Sequence, residues 1–381
     1  MSLRAISLAL MMLALVACGG GSQKQAGGVD PATPDAGCEG SCADTPTNLT
    51  VADVENVVAQ AVAEAQARGV NATIAVVDRV GNVLAVFRMN GASATVTVAS
   101  PGVGADGGLE GVNIVPDSMA AISKAVTGAY LSTEGNAFTS RTASQIVQDH
   151  FNPLDNQQPA GPLFGVQFSQ LACSDLMVRY GGGAPAAGPF RSPLGLSADP
   201  GGLPLYKAGT VVGGIGVISD ALYSFDPDIS DVDTDDDEMI ATAGASGLAA
   251  PDMRRANRIA VDGRTLRFTD GGTGQLMSDP TAAPSFASIN NVAGSLAVVP
   301  GYAAASISAG TAFGQPASGI RPDTLDFPGL DAYVLVDSLD AERYRPIAGT
   351  DGVDALTAAE VQAILAESLT LANRMRAQIR R

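Results

Sequence analysis

The chain has 381 residues, enough for two domains, is rich in glycine, lacks tryptophan and carries a formal net charge of -17. That acidity excludes binding along a nucleic-acid backbone, which needs a basic footprint, and electrostatic adsorption to an anionic membrane surface. It suits a solvated surface or the binding of cations.

Met1 to Ala17 holds one basic residue, Arg4, and then the apolar run ISLALMMLALVA. This is the h-region of a signal peptide and is too short to span a membrane as a stable anchor. It ends Leu15-Val16-Ala17-Cys18, a pattern that resembles a bacterial lipobox, in which Cys18 becomes the lipidated first residue. Residues 18–48 are rich in Gly, Ser, Pro and Asp and read as a flexible tether. Gly19, rather than Asp, after the cysteine points to the outer membrane or cell surface of a bacterial envelope rather than the inner membrane. The alternative is an ordinary secretory signal with an incidental cysteine. Cys38 and Cys42 are close enough in sequence to close a disulfide loop in an oxidising compartment, and they have too few neighbouring ligands for zinc. Cys173 stands alone and reads as a small buried hydrophobe.

Leu49 to Ala92 is the most legible stretch. Thr50 and Asp53 have the spacing of a capping box. Val51, Val54, Val57, Val58, Ala61, Val62 and Ala65 recur at helical spacing, and Gly69 follows as a left-handed terminator. Residues 72–78 (ATIAVVD) and 83–89 (VLAVFRM) predict a β-hairpin turning at Arg79–Asn82. A helix on a hairpin implies an α+β layer fold.

Residues 99–116 form a Gly-rich excursion. Asp117 is placed to cap a helix whose apolar face carries Met119, Ala120, Ile122, Val126, Ala129 and Tyr130. A second helix is predicted over 139–150 and is stopped by Pro153; LFGVQF (163–168) reads as a strand, and 181–202 as a surface loop. GLPLYKAGTVVGGIGVIS predicts another hairpin with Gly209 at its turn. An aspartate-rich stretch, 226–237, then leads into the helix EMIATAGASGLAA, whose acidic start suits the helix dipole.

Taken together, residues 49–250 resemble the GlcG/HbpS family of haem-binding domains. The resemblance rests on the leading helix, the VVD-x-x-G hairpin with its following Arg88, the paired helices, the small-residue strand VVGGIGVIS and the helix at Asp237-Glu238. The chain departs from the compact family form by long insertions at 99–116, 152–202 and 220–235. The resemblance implies an antiparallel sheet flanked by helices in profilin-like layers, haem or a similar tetrapyrrole as ligand, and assembly as a homo-oligomer.

Residues 251–349 contain strand-like pieces between Pro and Gly turns and read as a β-rich extension or inter-domain region. In 350–381, Thr357 and Glu360 repeat the capping arrangement, and Val361, Ile364, Leu365, Leu369 and Ala372 repeat the stripe. Either the chain is a truncated tandem-domain protein, which the repeat favours, or this helix docks on the first domain or on a partner chain. The expected organisation is thus 1–17 signal peptide, 18–48 tether, 49–250 domain, 251–349 extension and 350–381 second leading helix.

His150, the only histidine, is a residue type that serves as an axial ligand to haem iron. It also suits a plain helix end. Arg88 has the guanidinium to pair with a haem propionate, Met89 the thioether to pack on or ligate the ring, and Tyr130 is a further pocket candidate. For Arg88 and Met89 the alternative is a sheet-edge charge beside a core methionine. Asp231, Asp233 and Asp235 alternate as calcium ligands would, but the Gly and Glu of an EF-hand loop are missing, which favours a solvated acidic loop. Gly214-Ile-Gly216 lacks the third glycine of a dinucleotide site. There is no G-x-S-x-G elbow and no H-E-x-x-H motif, and nothing in the sequence demonstrates catalysis. The expectation is a lipid-anchored, extracytoplasmic haem-binding protein for tetrapyrrole sequestration or sensing. Next stands a cofactor-free surface module steadied by calcium, and third an enzyme acting on a small organic acid.

Overall fold

The leading helix, α1 (Val51–Arg68), forms where its caps direct. The Thr50 hydroxyl accepts from the Asp53 N–H at 3.2 Å and the Asp53 carboxylate accepts from the Thr50 N–H at 2.6 Å. Gly69, at φ 74°, closes the other end. Apart from Val51, which lies exposed before the first buried turn, the whole predicted stripe is buried. The computed structural model describes residues 48–100, 110–147, 192–228, 231–261, 264–330, 332–337, 339–343 and 345–374, all within one compact unit. Cys18, Cys38, Cys42, His150, Cys173 and the expected strand at 163–168 lie outside the described residues.

The hairpin follows as expected: β1 (Thr73–Asp78) pairs antiparallel with β2 (Val83–Met89), with a bulge between Val76 and Val77. A small ladder comes next. In it β3 (Thr95–Val98) pairs with β4 (Val115–Pro116) and, in parallel, with β7 (Leu222–Tyr223). Between them run α2 (Asp117–Leu131), α3 (Ser140–Val147), β5 (Gly202–Lys207) and β6 (Thr210–Ile218). β5 and β6 are joined through Gly209 at φ 79°. The chain continues through α4 (Asp236–Gly244), the short ladder β8 (Ala260–Val261) with β9 (Arg264–Thr265), α5 (Phe286–Ile289) and β10 (Gly294–Leu296). It then runs through the pair β11 (Ile320–Pro322) and β12 (Tyr333–Leu335) to α6 (Ala358–Arg374).

The central sheet has the order β10-β2-β1-β6-β5 and is antiparallel throughout. Alternation along the strands divides the core in two. Ile74, Val76, Phe87, Ile215 and Val217 face α1 and α4, whereas Ala75, Val77, Val86 and Ile218 face α2. The result is an α+β fold of helix, antiparallel sheet and helix.

Three expectations change in detail. Asp117 is the first residue of α2 rather than its cap; Pro116 precedes it and makes no side-chain cap bond. The helix is also buried from Asp117 to Ala129 on every side, not along one stripe. The extension has strands of only two or three residues, separated by turns and 3-10 turns, so it is less β-rich than its pattern suggests. It is nonetheless built into the first fold: β10 adds the edge strand beside β2, and Phe286 packs edge-on against Phe87 at 5.9 Å.

Burial of α2 depends on the strand it lies against. A Cβ on Gly214 would overlap the Ala125 carbonyl oxygen, and one on Gly216 would overlap the Ala121 carbonyl oxygen. These two glycines let helix backbone touch strand backbone. Gly216→Ala is therefore expected to cost about 1–3 kcal/mol through overpacking, measured by chemical denaturation. Gly272→Ala, where a Cβ meets nothing within 4 Å, is expected to leave the midpoint unchanged.

Candidate functional site

Two buried cations grip the first turn of α4. Lys124, in the middle of α2, is fully buried; its Nζ donates to Asp237 Oδ2 at 2.7 Å and lies 2.9 Å from Asp199 Oδ2. The Ser219 hydroxyl donates to the second oxygen of Asp237 at 2.5 Å. Arg141, on α3, is 1% exposed. Its Nε donates to Glu238 Oε1 at 2.8 Å, and its Nη1 reaches Asp226 at 2.9 Å, Asp233 at 3.0 Å and Asp270 at 3.0 Å. The second Glu238 oxygen accepts from the Asp270 N–H at 2.8 Å. Arg267 pairs with Asp270 and also donates to the Asp231 carbonyl.

Carboxylates outnumber cations here, and apart from Asp233 their side chains are out of water. Burial pushes Asp237 up to about 7, against the opposing pull of Lys124. Burial likewise pushes Glu238 up to about 7 against Arg141, and Asp226 up to about 6. Asp199 is raised well above the usual carboxylate range for the same reason. Burial works against the Lys124 charge, but Asp199 and Asp237 outweigh it and hold the ammonium protonated. With the ammonium charged, one proton on the two carboxyl groups makes the trio neutral, and both carboxyl shifts point in that direction.

The structure brings Asp231 and Asp233 together, as the alternating pattern suggests, but their third partner is Asp226; oxygens of the three lie within 4.8 Å of one another. Asp235 turns away to cap α4, its carboxylate accepting from the Glu238 N–H at 2.9 Å. Three hard oxygen donors at that spacing can hold a divalent cation. Arg141 competes for two of them.

Of the expected haem contacts, the three among the described residues, Arg88, Met89 and Tyr130, are not gathered in one place. Arg88 and Met89 are neighbours on β2, so they point to opposite faces of the sheet. Arg88 makes a two-pronged pair with Asp117, Nε to Oδ2 at 2.8 Å and Nη2 to Oδ1, while the Thr73 hydroxyl donates to the same carboxylate. Met89 is buried in the α1 core, its sulfur accepting from the Ala72 N–H at 3.4 Å. The Tyr130 hydroxyl donates to the Val80 carbonyl at 2.7 Å. Tyr130 stands near the end of α2 opposite to Asp117, about 20 Å away at 1.5 Å rise per residue.

Sequence reasoning missed Lys124, Arg141, Asp199, Glu238 and Asp270. One signal was available: Lys124 is the one cation in a helix whose residues are mostly small or apolar, where a charge must find a partner once buried.

Residues 49–100 match the family model described as HbpS-like, haem degrading protein HbpS-like. No curated protein matches the chain. Among solved structures the chain is similar to PduOC in its haem complex, at 18% identity over 51% of this chain and 91% of that one, with a TM-score of 0.28. It is similar to protein ORFY of Klebsiella pneumoniae at 18% identity, over 52% and 89%, with a TM-score of 0.28. A double mutant of HbpS from Streptomyces reticuli gives 20% identity over 58% and 99%, with a TM-score of 0.28. The stretch 49–100 is thus HbpS-like, and it is the part built from α1, the β1–β2 hairpin and β3.

The raised carboxyl groups give the fold a pH signature. Asp237 and Glu238 protonate near 7 when folded, but near 4 when unfolded. Between those values the folded state holds protons that the unfolded state releases, so stability falls as pH rises through about 7. The melting temperature is expected to drop between about pH 5 and about pH 8, with a shallower drop in Asp237→Asn. A flat or rising profile in the parent chain contradicts this assignment.

Proposed function

We propose that this protein binds haem or a similar tetrapyrrole as a homo-oligomer, for sequestration or sensing. The observation that carries this reading is the match of residues 49–100 to the HbpS-like model, over a segment whose helix, hairpin and caps form as the family pattern requires. The side chains proposed to meet the ligand are His150 and Arg88. Arg88 would have to exchange Asp117 for a propionate, both being carboxylates that suit its planar fork. Met89 and Tyr130 are less suited: one is a core side chain and the other is engaged at the far end of α2.

The test is a haemin titration of the purified full chain, with size-exclusion and light scattering on the loaded sample. A Soret band that saturates at micromolar haemin, weakened in His150→Ala, is expected. Absence of that band overturns the reading.

The second reading, a cofactor-free surface module steadied by calcium, is favoured by the grouped oxygens of Asp226, Asp231 and Asp233. A calcium-dependent rise in melting temperature with no haem spectrum selects it over the first.

We further propose that the chain is lipid-anchored at Cys18 in the bacterial envelope, on the strength of the Leu-Val-Ala-Cys pattern and the tether behind it. Among the described residues no helix is long and apolar enough to cross a membrane. Labelled palmitate is expected to enter the parent chain and not Cys18→Ala, and equal labelling of both removes the proposal.

A further inference from the structure

A cleft of about 380 Å³ opens where the β1–β2 turn meets residues 301–317. Gly81, Asn82 and Leu84 line it from the hairpin, and Tyr302, Ser308 and Thr311 from the extension. The cleft therefore lies where residues 251–349 meet the HbpS-like segment.

Both walls are fixed by bonds that do not depend on a ligand. The fully buried Asp78 carboxylate accepts from the hairpin, from Val80 N–H at 3.1 Å, Asn82 N–H at 2.9 Å and the Asn82 amide at 2.8 Å. It also accepts from the opposite wall, from Thr311 N–H at 3.2 Å. Ser308 N–H donates to the Leu84 carbonyl at 2.9 Å, and Gly310 N–H to the Leu49 carbonyl at 2.8 Å. Tyr302 sits on a tight turn whose N–H groups at 302 and 303 both donate to the Val299 carbonyl at 2.9 Å. Gly301 supplies the positive φ of 77° in that turn, and Val299 is buried in the α2 core. A cleft braced in this way has little ordering left to do when a ligand enters.

Its chemistry selects the ligand. In a chain of net charge -17, no residue lining this cleft is charged. An ionic ligand would lose water there without gaining a counter-charge. The hydroxyl groups of Ser308 and Thr311 belong to the type that both donates and accepts, and the Asn82 amide, one N–H of which is held by Asp78, adds an accepting oxygen. Hydroxyl groups on a ligand do the same, so a polyol can satisfy such walls in several orientations. The Tyr302 ring adds an apolar surface for a sugar face. The volume lies at the lower end of the range for small-molecule sites. A tetrapyrrole, with a broad apolar ring and two carboxylates, matches neither the size nor the lining.

We propose that this cleft is a binding site for a neutral polyhydroxylated ligand of monosaccharide to disaccharide size, separate from any haem site. The test is saturation-transfer difference NMR on the purified full chain with glucose, N-acetylglucosamine and maltose as neutral probes and glucuronate as the charged one. Transfer to at least one neutral sugar is expected, with none to glucuronate, and with loss of the signal in Ser308→Trp, an exposed position where the indole fills the cleft. Thermal melting establishes that the variant is folded; if it is not, Ala317→Trp at the exposed rim takes its place. The proposal is overturned if no neutral probe shows transfer, if glucuronate shows it equally, or if transfer survives in a folded tryptophan variant.

Discussion

The close approach of α2 to β6 is the constraint from which much of this structure follows. Gly214 and Gly216 present no Cβ to the helix, so the Ala121 and Ala125 carbonyls lie directly against strand backbone. A helix seated that deeply cannot keep a polar face in water, and α2 is accordingly buried from its first residue to Ala129. Its polar residues must be satisfied by protein. The Ser123 hydroxyl accepts from Leu194 N–H at 3.2 Å and the Thr127 hydroxyl from Ser197 N–H at 2.6 Å, which seats the loop 192–200 on the helix. That loop in turn delivers Asp199 to Lys124. The buried ion cluster is thus a consequence of two glycines on a strand, since a more distant helix would let the ammonium reach solvent by its flexible stem.

The extension is held by the same device, a buried carboxylate that accepts backbone N–H groups from a remote segment. Glu64, buried on α1, accepts from Met277 N–H at 3.0 Å and Ser278 N–H at 2.8 Å as well as from Arg68. These bonds and those of Ser278 and Arg68 outweigh burial and hold its pKa below the usual value. Asp78 does the equivalent for Thr311. Its bonds are longer, none comes from a cation and the place is drier, so burial dominates there and its pKa is raised. The two carboxylates show how one arrangement can sit on either side of the desolvation balance, according to how dry the place is and whether a cation is among the donors. Both join the HbpS-like segment to residues 251–349, which is why that region behaves as part of the fold and carries its edge strand.

What could be read in the sequence was local, and what could not was paired across the chain. The Thr50–Asp53 box, the Gly69 terminator, the β-branched run ATIAVVD and the turn at Gly209 each need only a few neighbouring residues, and each forms as expected. Arg141 and Glu238 stand 97 positions apart and Lys124 and Asp237 stand 113 apart, so no spacing rule links them. The placement of the haem candidates was partly legible. Adjacent residues on a strand face opposite ways, which separates Arg88 from Met89. Thirteen residues of helix separate Asp117 from Tyr130. Among the described candidates, strand and helix geometry keep Arg88, Met89 and Tyr130 apart.

The helix α6 makes the same distinction within one element. Its start copies that of α1: the Thr357 hydroxyl accepts from Glu360 N–H at 3.2 Å, and the Glu360 carboxylate accepts from Thr357 N–H at 2.8 Å. Counted from the caps, Val361, Ile364, Leu365, Leu369 and Ala372 fall on the positions of Val54, Val57, Val58, Val62 and Ala65. Yet Val57 and Val58 are fully buried, while Ile364 is 54% and Leu365 41% exposed. Equal sequence signals have produced equal helices and unequal burial. Caps and periodicity act within a turn or two and suffice to define the ends and the apolar face. Burial requires a surface to meet that face, and for α1 the sheet and α4 supply it. The stripe therefore records what a helix is able to pack against, and only tertiary structure determines whether it does so.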